Sequence, residues 1–337
     1  MNIRRVLPGF LALILFALPL SAQQYTIKFA TLAPDGSTWI KVMRDLDTAV
    51  RAESGGRLGF KLYPGGVAGD EKDVVRKIRL GQYGGGGFTG VGIGEVAKKV
   101  RILDAPLFFK TYDEVEYIQQ KYETDFDQAL QDGGFVRLGW AEVGFVYVFS
   151  TKLVTTFSDI KSLKPWMWEG DPISQAAYQA IGVSPVPLSP ADVMTSLQTG
   201  MINAVYSSPY ALIALQWFTR VNYAMSQPLA DALGAAVISK KIYDSLPDDL
   251  KNILMTNSKK YIGRLTTSSR QDNAKAIETL KQRGMKFVEA PKELATEFDS
   301  IGNKARQLLV GNLYSQDFLN DVEGSLRAYR LEHPAIR

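Results

Sequence analysis

The segment YTIKFATLAP (25–34) alternates apolar and polar positions before Pro34, the period of a half-buried strand that runs into a loop. Trp39, Val42, Met43, Leu46 and Val50 then recur at helical spacing over 37–52, and Gly55-Gly56 closes that helix. RLGFKLYPGG (57–66) reads as a second strand and turn, and EKDVVRKIRLG (71–81) as a helix ended by Gly81. The opening is therefore βαβα, which favours parallel pairing and an α/β class.

Further along, Thr111 and Glu114 have the spacing of a capping box opening a helix near 112–131. GFVRLGWAEVGFVYVFS (134–150), rich in β-branched and aromatic residues, predicts one extended strand or two with a bend at Gly144. TFSDIKSLK (156–164) reads as a turn or short helix, and Trp166 begins a new strand. PISQAAYQAIG (172–182) reads as a helix closed by Gly182, and SPVPL (184–188) as a short strand. Ser189-Pro190-Ala191-Asp192 combines a cap, a proline at the first helical position and an acid, opening a helix that runs to Gly200. INAVYSSP (202–209) is another strand, and 232–246 returns to strand and then turn. From 248 to 290 there is no proline, and the apolar spacing predicts one very long helix or two broken ones. The pattern fits an α/β chain of two lobes. One covers about 23–145 and is completed by about 231–337; the other covers 146–230. Strands that cross more than once between lobes make a hinged cleft.

The N-terminus changes the compartment. Arg4 and Arg5 precede an apolar run at 10–20, and Leu20-Ser21-Ala22 has the small-residue character of a cleavage site, so 1–22 reads as a secretory signal peptide. The run is too short for a membrane span. With no cysteine in the chain, a cysteine-anchored lipoprotein and disulfides are both excluded. Removing the leader leaves 315 residues and lowers the formal charge from +4 to +2, too small a bias to suggest nucleic acid.

The chemistry is narrowed by what is missing. The only histidine is His333, four residues from the end, which removes Ser-His-Asp and Cys-His catalysis and histidine-rich metal sites. Carboxylate-only catalysis stays open, but no pair of acids stands out. GGGGFTGVGIGE (84–95) holds a literal GxGxxG at Gly85, Gly87 and Gly90. It follows a helix rather than a first strand, so it reads as a strand passing close to other backbone or to a ligand, with Phe88 and Thr89 as cleft candidates.

Several segments together resemble the solute-binding subunits of TRAP transporters, the DctP-like family: IKFATLAPDGSTW, ESGGRLGFKLYPGGVAGDEKDVVRKIRLGQ, LDAPLFFKTYDE, FSDIKSLKPWMWEGDP, PVPLSPADVMTSLQTGMINAVYSSP and ISKKIYDSLPDDLK. The match covers nearly the whole chain after the leader. The resemblance implies a two-lobed periplasmic binding-protein fold with hinge strands and a long helix connecting the lobes. It implies a periplasmic receptor, not an enzyme and without a cofactor or metal, that captures a small molecule by closure and delivers it to TRAP membrane permease subunits. A tetratricopeptide periplasmic protein, found with some relatives, is an alternative recipient.

One position departs from the family pattern. Receptors of this kind typically carry an arginine in the strand after the LKGLK-like turn, where it makes a two-pronged ion pair with a ligand carboxylate. Alignment of 159–164 places Trp166 there. With Trp168 on the same face of the strand, the expected wall is apolar, and the expected ligand hydrophobic or amphipathic rather than a small dicarboxylate. Tyr206, Ser207 and Ser208 follow a connection that lines the ligand side of the second lobe in the family. Tyr147 and Trp217 are further cleft candidates with core packing as the competing reading. Lys164, Arg137 and Arg220 are the basic residues that could replace the missing charge.

Overall fold

In the computed structural model, which describes residues 24–290 and 292–334, the strands are β1 (Tyr25–Thr31), β2 (Leu58–Tyr63), β3 (Gly85–Thr89), β4 (Phe135–Trp140), β5 (Gly144–Ser150), β6 (Trp166–Trp168), β7 (Val186–Leu188), β8 (Ala204–Ser207), β9 (Tyr223–Met225), β10 (Ala230–Ala232), β11 (Gly234–Ser239) and β12 (Lys286–Val288). The expected leader lies outside the described residues.

The first sheet has the order β2-β1-β3-β11-β4. β1 pairs in parallel with both β2 and β3, as the βαβ opening predicts, while β11 runs antiparallel to β3 and β4. Helix Thr38–Glu53 is capped by Ser37, whose hydroxyl accepts from the Ile40 N–H. It buries Ile40, Val42, Met43, Leu46 and Val50, close to the stripe read from the sequence. The second sheet has the order β10-β5-β9-β12, with β8 also paired to β5. β6 and β7 pair in parallel and join it through a bridge from Pro165 to Ala204.

The long apolar stretch 134–150 is two strands, β4 in the first sheet and β5 in the second. The break falls at 141–143, and Gly144 has φ +101°, a conformation open mainly to glycine. The return crossing is β10 to β11. The two crossings bond to each other through Ala141 N–H to Gly234 O (2.7 Å) and Val143 N–H to Ala232 O (3.0 Å). Asp248–Gln282 is a single helix of 35 residues. It braces this hinge: Asn273 donates to Val143 O (2.8 Å) and accepts from the Tyr210 N–H (3.0 Å), and Arg270 grips Glu142 through two bonds of 3.0 and 2.8 Å.

Several local expectations are corrected. The helix near 112–131 is two helices, Tyr112–Lys121 and Glu123–Asp132, broken at Tyr122, whose hydroxyl bonds Asp321 and Ser325 of the C-terminal helix. Thr111 caps as expected, but Glu114 turns away to Arg330 and to the Lys110 N–H. Ser189 does not cap backbone: its hydroxyl donates to Asp192, and the first turn is 3-10. After β11 comes a helix, Lys240–Ser245, rather than a turn. The chain beyond 231 does not serve the first lobe alone. β12 pairs with β9, and helix Lys292–Leu308 packs on helix Pro172–Ile181 of the second lobe. Among the described residues no helix is long and apolar enough to cross a membrane.

Candidate functional site

A cavity of about 560 Å³ lies between the two sheets, within the roughly 300–1,000 Å³ usual for small-molecule sites. Its first-lobe wall includes Trp39, Phe88 and Thr89, and its second-lobe wall includes Trp166, Trp168, Tyr206 and Trp217. The glycine-rich strand β3 is what lets Trp39 sit there. A Cβ on Gly87 would collide with the Trp39 ring, and one on Gly90 with the Asp104 carboxylate. The literal GxGxxG is thus a packing device, not a dinucleotide loop.

The second-lobe wall is a stack of aromatics. Trp166 lies nearly parallel to Tyr206, with centroids 4.7 Å apart, meets Trp217 edge-on at 5.4 Å and lies 6.1 Å from Trp168. Two-residue alternation on β6 puts both indoles on one side. Trp166 is only 3% exposed, and its indole N–H donates to Leu188 O at 3.0 Å. Its polar edge is therefore engaged, leaving an apolar surface. The Trp168 indole reaches the other lobe, donating to Asp70 Oδ2 at 3.1 Å, while its backbone N–H donates to the Tyr206 hydroxyl at 3.2 Å.

Among the described residues, six acidic residues line the cavity, Asp70, Glu71, Asp104, Glu142, Asp171 and Asp231, against one basic residue, Arg101. Arg101 is buried and donates to Asp104 Oδ2 at 2.6 Å and to Asp171 Oδ1 at 2.9 Å. Asp171 also caps helix Pro172–Ile181, accepting from the Ser174 N–H at 3.0 Å, and Asp104 Oδ1 accepts from the Leu233 N–H at 2.6 Å. Burial works to raise the Asp171 carboxyl, but Arg101 and Ser174 outweigh it and hold the group below the usual carboxylate range. At Asp104 burial prevails over Arg101 and the carboxyl is pushed up. Glu71 fills a nest of three donors, the Thr89 N–H, the Thr89 hydroxyl and the Gly92 N–H, each at 2.8 Å. Burial pushes it up to about 7 against those donors.

Of the residues singled out in the sequence, Phe88, Thr89, Trp166, Trp168, Tyr206, Ser207, Ser208 and Trp217 all line the cavity. Tyr147 does not. Its β5 neighbours Val146 and Val148 line the cavity, and Tyr147, one residue out of that alternation, packs against the aliphatic and aromatic clusters. The basic replacements are also absent from the lining. Lys164 and Arg220 are exposed, and Arg137 is bound to Asp127 and Glu123. Asn203 holds the turn before β6, accepting from the Lys164 N–H at 2.7 Å. Sequence reasoning missed Arg101 and its two acids. The only available signal was the cap pattern of Gly170-Asp171-Pro172, which marks a helix start but not an ion pair with a residue 70 positions away.

The family model of DctP, bacterial extracellular solute-binding protein family 7, matches residues 29–307. Among curated proteins, the 2,3-diketo-L-gulonate-binding periplasmic protein YiaO of Escherichia coli is 24% identical over 283 residues, covering 80% of this chain and 82% of that protein. The C4-dicarboxylate-binding periplasmic protein DctP of Rhodobacter capsulatus is 22% identical, covering 83% and 86%. Among solved structures, the fold is shared with a TRAP periplasmic solute-binding protein of Ochrobactrum anthropi whose C-terminus is bound in its ligand pocket (TM-score 0.80, 22% identity, 93% and 98% covered). It is also shared with DctP7 of Bordetella pertussis, an extracytoplasmic solute receptor binding pyroglutamic acid (TM-score 0.82, 18% identity, 90% and 99% covered). The mixed first sheet, the doubled hinge and the interlobe cavity accord with that shared fold, and the chain belongs to the DctP family, as a TRAP-type solute-binding protein.

Proposed function

We propose that this chain is a periplasmic receptor that captures a hydrophobic or amphipathic small molecule between its lobes and delivers it to TRAP membrane permease subunits. The observation that carries the reading is the state of Arg101. Among the described residues it is the one basic side chain in the lining, and Asp104 and Asp171 already neutralise it. The nest at 89–92 is likewise filled by Glu71. Relatives are named for C4-dicarboxylates and pyroglutamic acid. A carboxylate entering this cavity would meet six acids and, among the described residues, no free guanidinium, at a cost of roughly several kcal/mol if left unpaired. An apolar ligand meets Trp166, Trp168 and Trp217 together with Phe88 and Tyr206, and gains about 25 cal/mol for each Å² withdrawn from water. Ser207, Ser208 and Thr89 complete the wall in this reading. Nothing in the mechanism breaks a bond: ligand binding shifts the lobes toward closure, and the closed form docks on the permease.

Isothermal titration calorimetry of the purified chain with succinate and with decanol tests the reading. Saturable decanol binding with no succinate binding is expected. Tight succinate binding without decanol binding would overturn it.

A further inference from the structure

The cavity does not end at the aromatic wall. Ile173, Ser174, Ala177, Tyr178 and Ile181 of helix Pro172–Ile181 also line it. Steps of three and four residues fall on one face of a helix. The cavity therefore follows that face from the first turn to the last, over about 12 Å at 1.5 Å per residue. The near end meets the cleft at Asp171 and Tyr206. The far end lies in a different apolar cluster from the tryptophans. Trp166, Trp168 and Trp217 pack in one cluster, while Ile160, Leu163, Met225, Phe298 and Ile301 pack in another and line the same cavity. Strand β5 shows how one cavity reaches both. Tyr147 and Phe149 pack with the tryptophan cluster, and the alternate residue Val148 packs with the second. Val148 stands opposite Tyr206, whose ring stacks on Trp166, so Tyr206 marks the bend between the cleft and the inner passage.

The passage is apolar along its length. Its two helix hydroxyls are engaged, Ser174 donating to Asp171 O at 3.2 Å and Tyr178 to Trp166 O at 2.9 Å. The far end is covered by Phe298 and Ile301, which are 4% and 9% exposed, on helix Lys292–Leu308 packed against helix Pro172–Ile181. A polar group carried that far would lose its water without gaining a partner, whereas each buried methylene adds favourable transfer energy. A flexible chain can follow the bend at Tyr206; a rigid ring system would stop at the aromatic wall. We infer that the ligand is a single-chain amphiphile, its polar end in the cleft and its unbranched alkyl tail laid along helix Pro172–Ile181 inside the second lobe. With C–C bonds of about 1.5 Å, an extended tail of about ten carbons spans the passage. This inference rests on the apolar-cleft reading and gives the shape of the same ligand.

The test is calorimetry with hexanol, octanol, decanol and 1-adamantanol, which folds the carbon count of decanol into a compact cage. Wild-type affinity is expected to rise about fourfold per methylene from hexanol to decanol, and decanol to bind about tenfold or more tighter than 1-adamantanol. Ala177→Phe places a ring at the middle of the passage and should abolish both the rise with chain length and the preference for decanol. An affinity that levels off at hexanol, 1-adamantanol binding as tightly as decanol, or a full rise persisting in the variant would each overturn the inference and leave the apolar reading intact. Binding of none of the four probes to the wild type would overturn both. The wild-type series decides the question by itself should Ala177→Phe fold poorly.

Discussion

Arg101 of the first lobe donates from Nη2 to Asp171 Oδ1 of the second at 2.9 Å, with both side chains buried. The pair joins the cap of a second-lobe helix to the first-lobe core, and it also withdraws the cavity's guanidinium from any ligand. Removing the arginine leaves two buried acids without their counter-charge. Arg101→Met is expected to destabilise the protein by about 3–5 kcal/mol, measured by urea unfolding. A loss below 1 kcal/mol would show that the pair does not hold the lobes.

The same pair sets a pH dependence. The folded pKa of Asp171 lies below its unfolded value, so its contribution is fully present above about pH 4 and is lost as pH falls through the depressed folded value. The stability difference between wild type and Asp171→Asn should therefore be constant from pH 5 to 7 and shrink in acid. Urea midpoints across that range check it, and a difference that grows on acidification would contradict it.

Trp168 and Asp70 form a second link across the cleft, at 3.1 Å. Trp168→Phe keeps an aromatic ring but removes the donor. A hydrogen bond to a charged acceptor contributes about 1.5–3 kcal/mol, here only when the lobes are together. Small-angle scattering should show a larger radius for the variant without ligand, and decanol affinity should fall by about tenfold. An unchanged radius would mean that this bond does not bias closure.

Trp166 is packed between Tyr206 and Trp217. Trp166→Arg places a guanidinium against those rings and leaves Leu188 O without its donor. Decanol binding is expected to be lost, with stability lowered by about 3 kcal/mol or more. Succinate binding is not expected to appear, because the surrounding lining remains acidic. Unchanged decanol affinity would remove Trp166 from the site.

Gly87 lies under the Trp39 ring. Gly87→Ala should displace that ring, costing about 1–3 kcal/mol through overpacking and weakening decanol binding in the same variant. Loss of stability with full binding would separate Trp39 from the ligand wall.

Period and punctuation in the sequence determined the α/β class and most element positions, because hydrophobic spacing and glycine stops are local properties of the chain; that 248–282 is one helix rather than two was decided by the fold. They also picked out the tryptophans of β6, whose two-residue alternation needs no tertiary information. Whether 134–150 made one strand or two was decided only by the fold, since the break at 141–143 is where the backbone leaves one sheet for the other. Tyr147 was misplaced for a related reason: a strand buried on both faces gives no signal of which face meets the cavity. Arg101 and Asp171 lay beyond sequence reasoning because their pairing joins positions 70 residues apart and depends on burial. A charged side chain on a chain diagram carries no mark of whether folding will leave it solvated, paired or alone.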